Sequence, residues 1–344
     1  SGVRDILFIN NNTALVADMG KALSVLSRSD NSFELSQSLT DTPGVTVLRQ
    51  TKDTVWAASS THIYTLENSN GAWSKSNEWS LSGIQDIAIS PDSTHLYVAG
   101  DGGLRAFKIG ETLSPIGTVE APAPHGITHG YSDETPAQYQ AVTLAHNGKL
   151  VMASSFYGGY VLAWDRNTES GQLSNARVTS YQPLYTDDRL DVEGTGDGEN
   201  IGFDPQEDHR LATFISHNNS QTHFIVSGLW SAIGKLVTED GTVSTAAQTQ
   251  QGAGGITNLG GAYAVTTSPD DKHVYVAANN SPHPSAWKRD LKSGSLTPLA
   301  PPKNTGASPI DYGMPDVKVS PNGKHVLSID DEFNRVHAYS RNPD

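Results

Sequence analysis

The 344-residue chain has no cysteine, which excludes disulfides, thiolate metal sites and a cysteine nucleophile together. Basic residues are also few: 23 Lys and Arg stand against 37 Asp and Glu, a formal charge of −14. A nucleic-acid backbone or an anionic membrane surface would be repelled, and no basic run offers a local exception. No apolar stretch approaches the roughly 18 to 20 residues of a membrane-spanning helix. The 3.6-residue periodicity of helices is missing, which removes the helical solenoids. No Gly-x-Ser-x-Gly elbow, phosphate-binding glycine loop or His-Glu-x-x-His helix occurs. The composition, rich in Ser, Thr, Asn and Gly and sparse in Lys, is of the kind found in secreted or periplasmic bacterial proteins, so an extracellular or periplasmic placement is the expectation.

What the chain does have is one phrase repeated. "IAISPDSTHLYVAG" from Ile87, "AVTTSPDDKHVYVAANN" from Ala264 and "VKVSPNGKHVLSIDD" from Val317 place apolar alternation of period two on either side of a Ser-Pro turn. That pattern reads strand, turn, strand. A third segment follows ("LRAFKI" from Leu104, "RVHAYSR" from Arg335) and often a fourth ("GSLTPL" from Gly294). About seven such units begin near residues 3, 44, 83, 139, 199, 261 and 314, a spacing of roughly forty residues, with insertions at about 121–138, 180–198 and 240–260. A single twisted four-stranded sheet cannot cover both its faces, and radial stacking of neighbours covers them. The expectation is one all-β domain spanning 1–344: a seven-bladed propeller of four-stranded antiparallel blades. The last unit has three strand segments, so it is expected either to be three-stranded or to receive a strand from beyond this chain.

"SPDDKHVYVAA" together with "AWKRDLKSGSLTPL" resembles the repeat of the YVTN, or lactonase-type, seven-bladed propellers, whose relatives include 6-phosphogluconolactonase and 3-carboxymuconate cyclase. The resemblance implies this fold and, more loosely, chemistry on lactones. The same scaffold serves enzymes, lectins and passive binding modules.

Candidate chemistry falls into four groups. His95, His273, His325 and, by a looser alignment, His209 share one framework position before the second strand, where packing or turn bonding is the simpler role. His125 and His129 in "PHGITHG" offer two imidazoles on a glycine-bearing loop, suited to proton transfer or a metal; no third ligand of diagnostic spacing accompanies them. His146, and His217 with His223 around a hairpin of the fifth unit, are weaker candidates. Asp5, Asp86 and Asp316 open the innermost strands of the first, third and seventh units. Either they project toward one level of the central channel and hold a hard cation such as Ca²⁺ or Mg²⁺, or each bonds backbone amides at the strand entry and the three never meet. The acidic insertion from Asp187 to Glu199 (Asp187, Asp188, Asp191, Glu193, Asp197, Glu199) lacks the offsets of an EF-hand and reads as a solvated loop.

Two functions remain open. In the first, an extracytoplasmic binding module recognises a glycan or a protein, as one domain of a larger surface protein, with Tyr131, Tyr157, Tyr181 and Tyr185 as contacts. Tyr160 and Trp164 lie nearby but sit in a strand, where core packing is the simpler reading. In the second, a lactonase, cyclase or polysaccharide-lyase type of enzyme uses His125, His129 and Glu193 for proton transfer and Arg210 for an anionic group; Arg189 flanks the same insertion. No organic cofactor is expected.

Overall fold

The computed structural model describes residues 2–29, 32–51, 54–119, 139–145, 147–155, 160–181, 212–216, 222–228, 231–237, 243–250, 262–278, 281, 283–292, 295–302, 316–330 and 335–342. Every regular element among them is a strand, and no helix is long and apolar enough to cross a membrane. Blade 1 comprises β1 (Val3–Asn10), β2 (Thr13–Asp18), β3 (Leu23–Ser29) and β4 (Ser32–Leu39). Blade 2 follows as β5 (Val47–Gln50), β6 (Val55–Ala58), β7 (His62–Ser69) and β8 (Ala72–Ser80). Blade 3 holds β9 (Ile84–Ile89), β10 (His95–Gly100), β11 (Gly103–Lys108) and β12 (Ser114–Pro115). Blade 4 holds β13 (Tyr139–Ala145), β14 (Leu150–Ser155), β15 (Tyr160–Arg166) and β16 (Leu173–Tyr181). Blade 5 holds β17 (Ala212–Ser216), β18 (Thr222–Gly228), β19 (Ser231–Val237) and β20 (Val243–Gln250). Blade 6 holds β21 (Ala262–Thr267), β22 (His273–Ala278), β23 (Ser285–Arg289) and β24 (Leu296–Pro298). The C-terminal sheet has β25 (Val317–Val319), β26 (His325–Asp330) and β27 (Arg335–Ser340).

Each sheet is an antiparallel meander, and the innermost strands neighbour one another in the order β1, β5, β9, β13, β17, β21, β25 and back to β1. The architecture is thus an all-β propeller. Among the described residues the four-stranded blades number six, not seven, and the last position in the ring is held by a three-stranded sheet, as the three strand segments of the last unit led one to expect. A second difference concerns blade 5, whose first hairpin spans the connection between Ser216 and Thr222. Thr222 therefore stands where His95 stands in blade 3, and His209 lies outside the described residues.

The strands differ in burial in the way radial stacking requires. β10 and β22, second in their sheets, are buried at every residue, "HLYVAG" and "HVYVAA", because a neighbouring sheet covers each face. The outer β4 and β8 are mostly exposed and carry Ser, Gln, Lys and Asn. Between blades 3 and 4 the apolar layer includes Tyr97, Leu104, Leu144, Val151, Leu162 and Trp164. Trp164 is buried edge-on against Tyr139, with ring centroids 6.2 Å apart, so it belongs to the core.

The repeated phrase is a turn with a fixed bonding scheme. The amides of Ser93, Asp271 and Gly323 each donate to the carbonyl of the Ser three residues earlier at 2.8 Å, and all three have positive φ. That Ser hydroxyl in turn accepts the amide of His95, His273 or His325 at 2.9–3.0 Å. Proline in second place fixes φ for such a turn.

The shared histidines are structural. Arg166, arriving from blade 4, donates to the Tyr97 hydroxyl at 2.7 Å, to His95 Nδ1 at 2.8 Å and to the Gly148 carbonyl at 2.9 Å. Arg341, just beyond β27, repeats the scheme on Asp270, His273 and the Gly323 carbonyl. Burial and the neighbouring guanidinium lower the pKa of His95 and of His273, as a neutral ring accepting at Nδ1 requires. Arg166→Met leaves a buried tyrosine and histidine short of a partner and is expected to cost about 3 kcal/mol of stability. Urea unfolding checks it; the exposed Lys108→Met should shift the midpoint little.

Candidate functional site

The innermost strands of three sheets bring Asp5, Asp86 and Asp316 to the same end of the ring. Asp5 and Asp86 hold matching registers, opposite Ala17 and Ala99, and Asp316 directly precedes β25. Each carboxylate reaches sideways and accepts an amide from the innermost strand of the next sheet. Ile6 N donates to Asp316 Oδ2 at 3.0 Å, Leu48 N to Asp5 Oδ2 at 2.7 Å and Val142 N to Asp86 Oδ2 at 2.9 Å. Asp86 Oδ1 also accepts the amide of Ile87 at 2.8 Å.

Two cations of the chain stand among these acids. Arg49 on β5 donates to Asp5 Oδ2 at 3.0 Å and also pairs with Asp86. Lys318 on β25 lies 2.8 Å from Asp316 Oδ1 and 3.5 Å from Asp5 Oδ1. Their side chains are 27% and 21% exposed, against 8% or less for the carboxylates, so the cations face the channel and the acids face the scaffold. All three aspartates cap backbone amides, and Arg49 and Lys318 link them. Among the described residues no group of three or more ligating side chains is arranged to hold a metal ion.

Three acids and two cations leave a surplus negative charge, and burial decides where a proton sits. Burial pushes Asp316 up to about 7, Lys318 offsetting only part of this while the Asp5 carboxylate adds to it. Burial would also raise Asp5, but Lys318 and Arg49 outweigh it and hold that carboxyl low. Burial raises Asp86 despite Arg49.

Four connections between sheets enter at this same end. The connections between blades 3 and 4 (116–138), blades 4 and 5 (182–211), blades 5 and 6 (251–261), and blade 6 and the C-terminal sheet (299–316) each lead into the first residue of an innermost strand. His125, His129, Tyr131, His146, Tyr157, Tyr185, Arg189, Glu193, Arg210 and His217 lie outside the described residues, as does the acidic insertion from Asp187 to Glu199. Tyr181 closes β16, paired with Tyr160, and His223 pairs with Ser216; these are backbone placements. Sequence reasoning missed Arg49 and Lys318. The signal was available: both stand two places beyond the register position that Asp5 holds in blade 1.

Because the folded protein holds the Asp316 proton to a higher pH than the unfolded chain does, its contribution to stability is fully present below about pH 4. It is lost as pH rises to about 7. Asp316→Asn keeps a neutral oxygen for Ile6 N, so its stability relative to wild type should rise between those pH values. Asp5→Asn, removing a carboxylate held below its ordinary value, should lose stability relative to wild type as pH rises to about 4 and change little above about pH 5. Urea midpoints measured from pH 2.5 to 8 decide both.

No family model matches the sequence, and no curated protein matches it. Solved structures match its fold: the periplasmic gluconolactonase of Pseudomonas aeruginosa (TM-score 0.71, 13% identity, 99% of this chain and 93% of that one). A putative 6-phosphogluconolactonase of Bacteroides fragilis aligns over 99% of this chain and 90% of its own at TM-score 0.65 and 12% identity. The β-propeller domain of Swd1 from Myceliophteria thermophila aligns over 99% and 97% at TM-score 0.67 and 11% identity. The chain is therefore similar in fold to lactonase-type propellers, among others.

Proposed function

We propose that the chain is a lactonase-type propeller that opens a neutral, polyhydroxylated lactone at the mouth of the ring, outside the cytoplasm. The observation that carries this reading is the likeness to a periplasmic gluconolactonase over 99% of the chain, supported by two further propellers described as 6-phosphogluconolactonases. The same likeness supports the periplasmic placement. Connectivity adds to it, since the segments carrying His125, His129, Glu193 and Arg210 all enter innermost strands at the end where Asp5, Asp86 and Asp316 stand.

Opening a lactone needs a base to take a proton from water, an acid for the departing ring oxygen and a positive group near the developing oxyanion. Glu193 is assigned as base, His129 as acid with His125 beside it, and Arg210 as the positive group. The charge of −14 selects among lactones: a phosphorylated substrate would be repelled, a neutral one would not, and the carboxylate product would be driven away.

Acid release from glucono-δ-lactone, followed by pH-stat above its spontaneous rate, tests the reading. Wild type is expected to show saturable turnover, with Glu193→Gln and His129→Gln each losing about a hundredfold or more in kcat. Turnover no faster than buffer would sink the proposal. Saturable glycan binding lost in Tyr131→Ala and Tyr157→Ala would then return the chain to the binding-module reading.

A further inference from the structure

The fourth strands of blades 2, 4 and 6 share a small device. A turn glycine is followed two places on by a large apolar residue: Gly71 then Trp73, Gly171 then Leu173, and in sequence Gly294 then Leu296. Trp73 and Leu173 fill the seam with the preceding blade. Trp73 is buried in the layer between blades 1 and 2, and Leu173 packs on the layer between blades 3 and 4. The glycine is needed in blade 4. Gly171 has φ +74°, and a Cβ there would lie 2.2 Å from the His95 ring and 2.7 Å from Ile116. Its carbonyl accepts the Tyr97 hydroxyl at 2.8 Å. The outer turn of blade 4 thereby covers His95, Tyr97 and Ile116 of blade 3.

The seam between blade 6 and the C-terminal sheet has the same floor. His273, Tyr275 and Arg341 repeat His95, Tyr97 and Arg166, and Leu299, whose amide donates to Ala286 O, repeats Ile116, whose amide donates to Ala106 O. Among the described residues no strand pairs with the outer edge of β27. An open cavity of about 160 Å³ lies there instead, lined by His273, Tyr275, Ala286, Leu299, Tyr339 and Arg341. Leu299 is 40% exposed, whereas Ile116 packs against the core. A cavity on the order of 150 Å³ with apolar walls accepts a benzene-sized group.

We propose that this edge and cavity form a docking site for an extended strand from outside residues 1–344. The strand pairs antiparallel with β27, sets a glycine over His273 and places Leu, Phe or Trp two residues later in the cavity. Strand addition of this kind takes affinity from main-chain hydrogen bonds and selectivity from the pocket. A second copy of this chain fits worse. Symmetric pairing of two β27 strands about Ala338 sets Arg335 opposite Arg341, a like-charge pair, and β27 has no glycine to lie over His273.

The probe is a synthetic peptide with the sequence of residues 168–181, TESGQLSNARVTSY, the outer strand of blade 4. Backbone hydrogen exchange is read at Val336 to Ser340, and affinity by fluorescence anisotropy of the labelled peptide. Added peptide is expected to slow exchange along β27 about tenfold or more. The peptide carrying Leu173→Asp should bind about tenfold more weakly, a change that leaves the protein's own folding untouched. Equal binding of the two peptides overturns the proposal, as does unchanged exchange at millimolar peptide. Slow exchange without peptide at the lowest protein concentration shows the edge already covered, and concentration-dependent slowing without peptide assigns it to a second copy; either result also overturns it.

Discussion

At three seams a carboxylate reaches across to take the amide of the next sheet's innermost strand. Losing that bond would leave a buried amide without its partner, at a cost of about 1–3 kcal/mol. Asp316, Asp5 and Asp86 are the three carboxylates. The equivalent register positions in blades 2, 4 and 6 are Val47, Ala141 and Ala264, so the device is used selectively. At the seam that Val47 leaves without a carboxylate, Asp86 Oδ1 takes the amide of Ile87 from its own strand.

The charges concentrate where the ring must close. Blades joined through the chain are held near one another in any case, but the C-terminal sheet meets blade 1 through residues 310 positions apart. Closing a loop of that length costs about 5 kcal/mol in chain entropy. One charge-assisted hydrogen bond returns about 1.5–3 kcal/mol, so it cannot offset this alone. The apolar layer can. Val3, Ile6, Phe8, Val16, Leu327 and Ile329 are buried together at this seam, and at about 1.5–3 kcal/mol for each large side chain their sum exceeds the closure term. Packing therefore closes the ring, and Asp316, Lys318 and Asp5 set which registers meet. A slip of one residue in β25 would turn Lys318 out of the channel and into the apolar layer.

Much of this was legible in the sequence, for a physical reason. Alternation of period two, the Ser-Pro turn and the repeat spacing are local, and "SPDDKHVYVAA" announces strand, turn and buried strand without tertiary information. The matching positions of Asp5, Asp86 and Asp316 followed once the repeats were aligned. Less legible was what each side chain would meet, because every partner belongs to another unit. Arg49 finds Asp86 from 37 residues away, and Arg166 finds His95 from 71. The stapling arginines had a sequence mark nonetheless: "WDRN" places Arg166 and "YSRN" places Arg341. The short last sheet was legible too, because the chain from Met314 offers only three strand segments.

The same bookkeeping of side chains explains where activity can reside. The second strands of blades 3 and 6 are spent on both seams, the innermost strands of blades 1 and 3 on amide capping, and the outer turn of blade 4 on covering its neighbour. Little is left on the strands to meet a solute. Arg49 and Lys318 face the channel, yet each is committed to two carboxylates. A ring so saturated is a rigid stand, and reactive groups must come from the connections that enter at its charged end. Those connections lengthen where blades 4, 5 and 6 and the C-terminal sheet begin, and they stay short around blades 2 and 3. Variation in chemistry on this scaffold can then proceed by changing four segments while the staples and the aspartate caps hold the frame fixed.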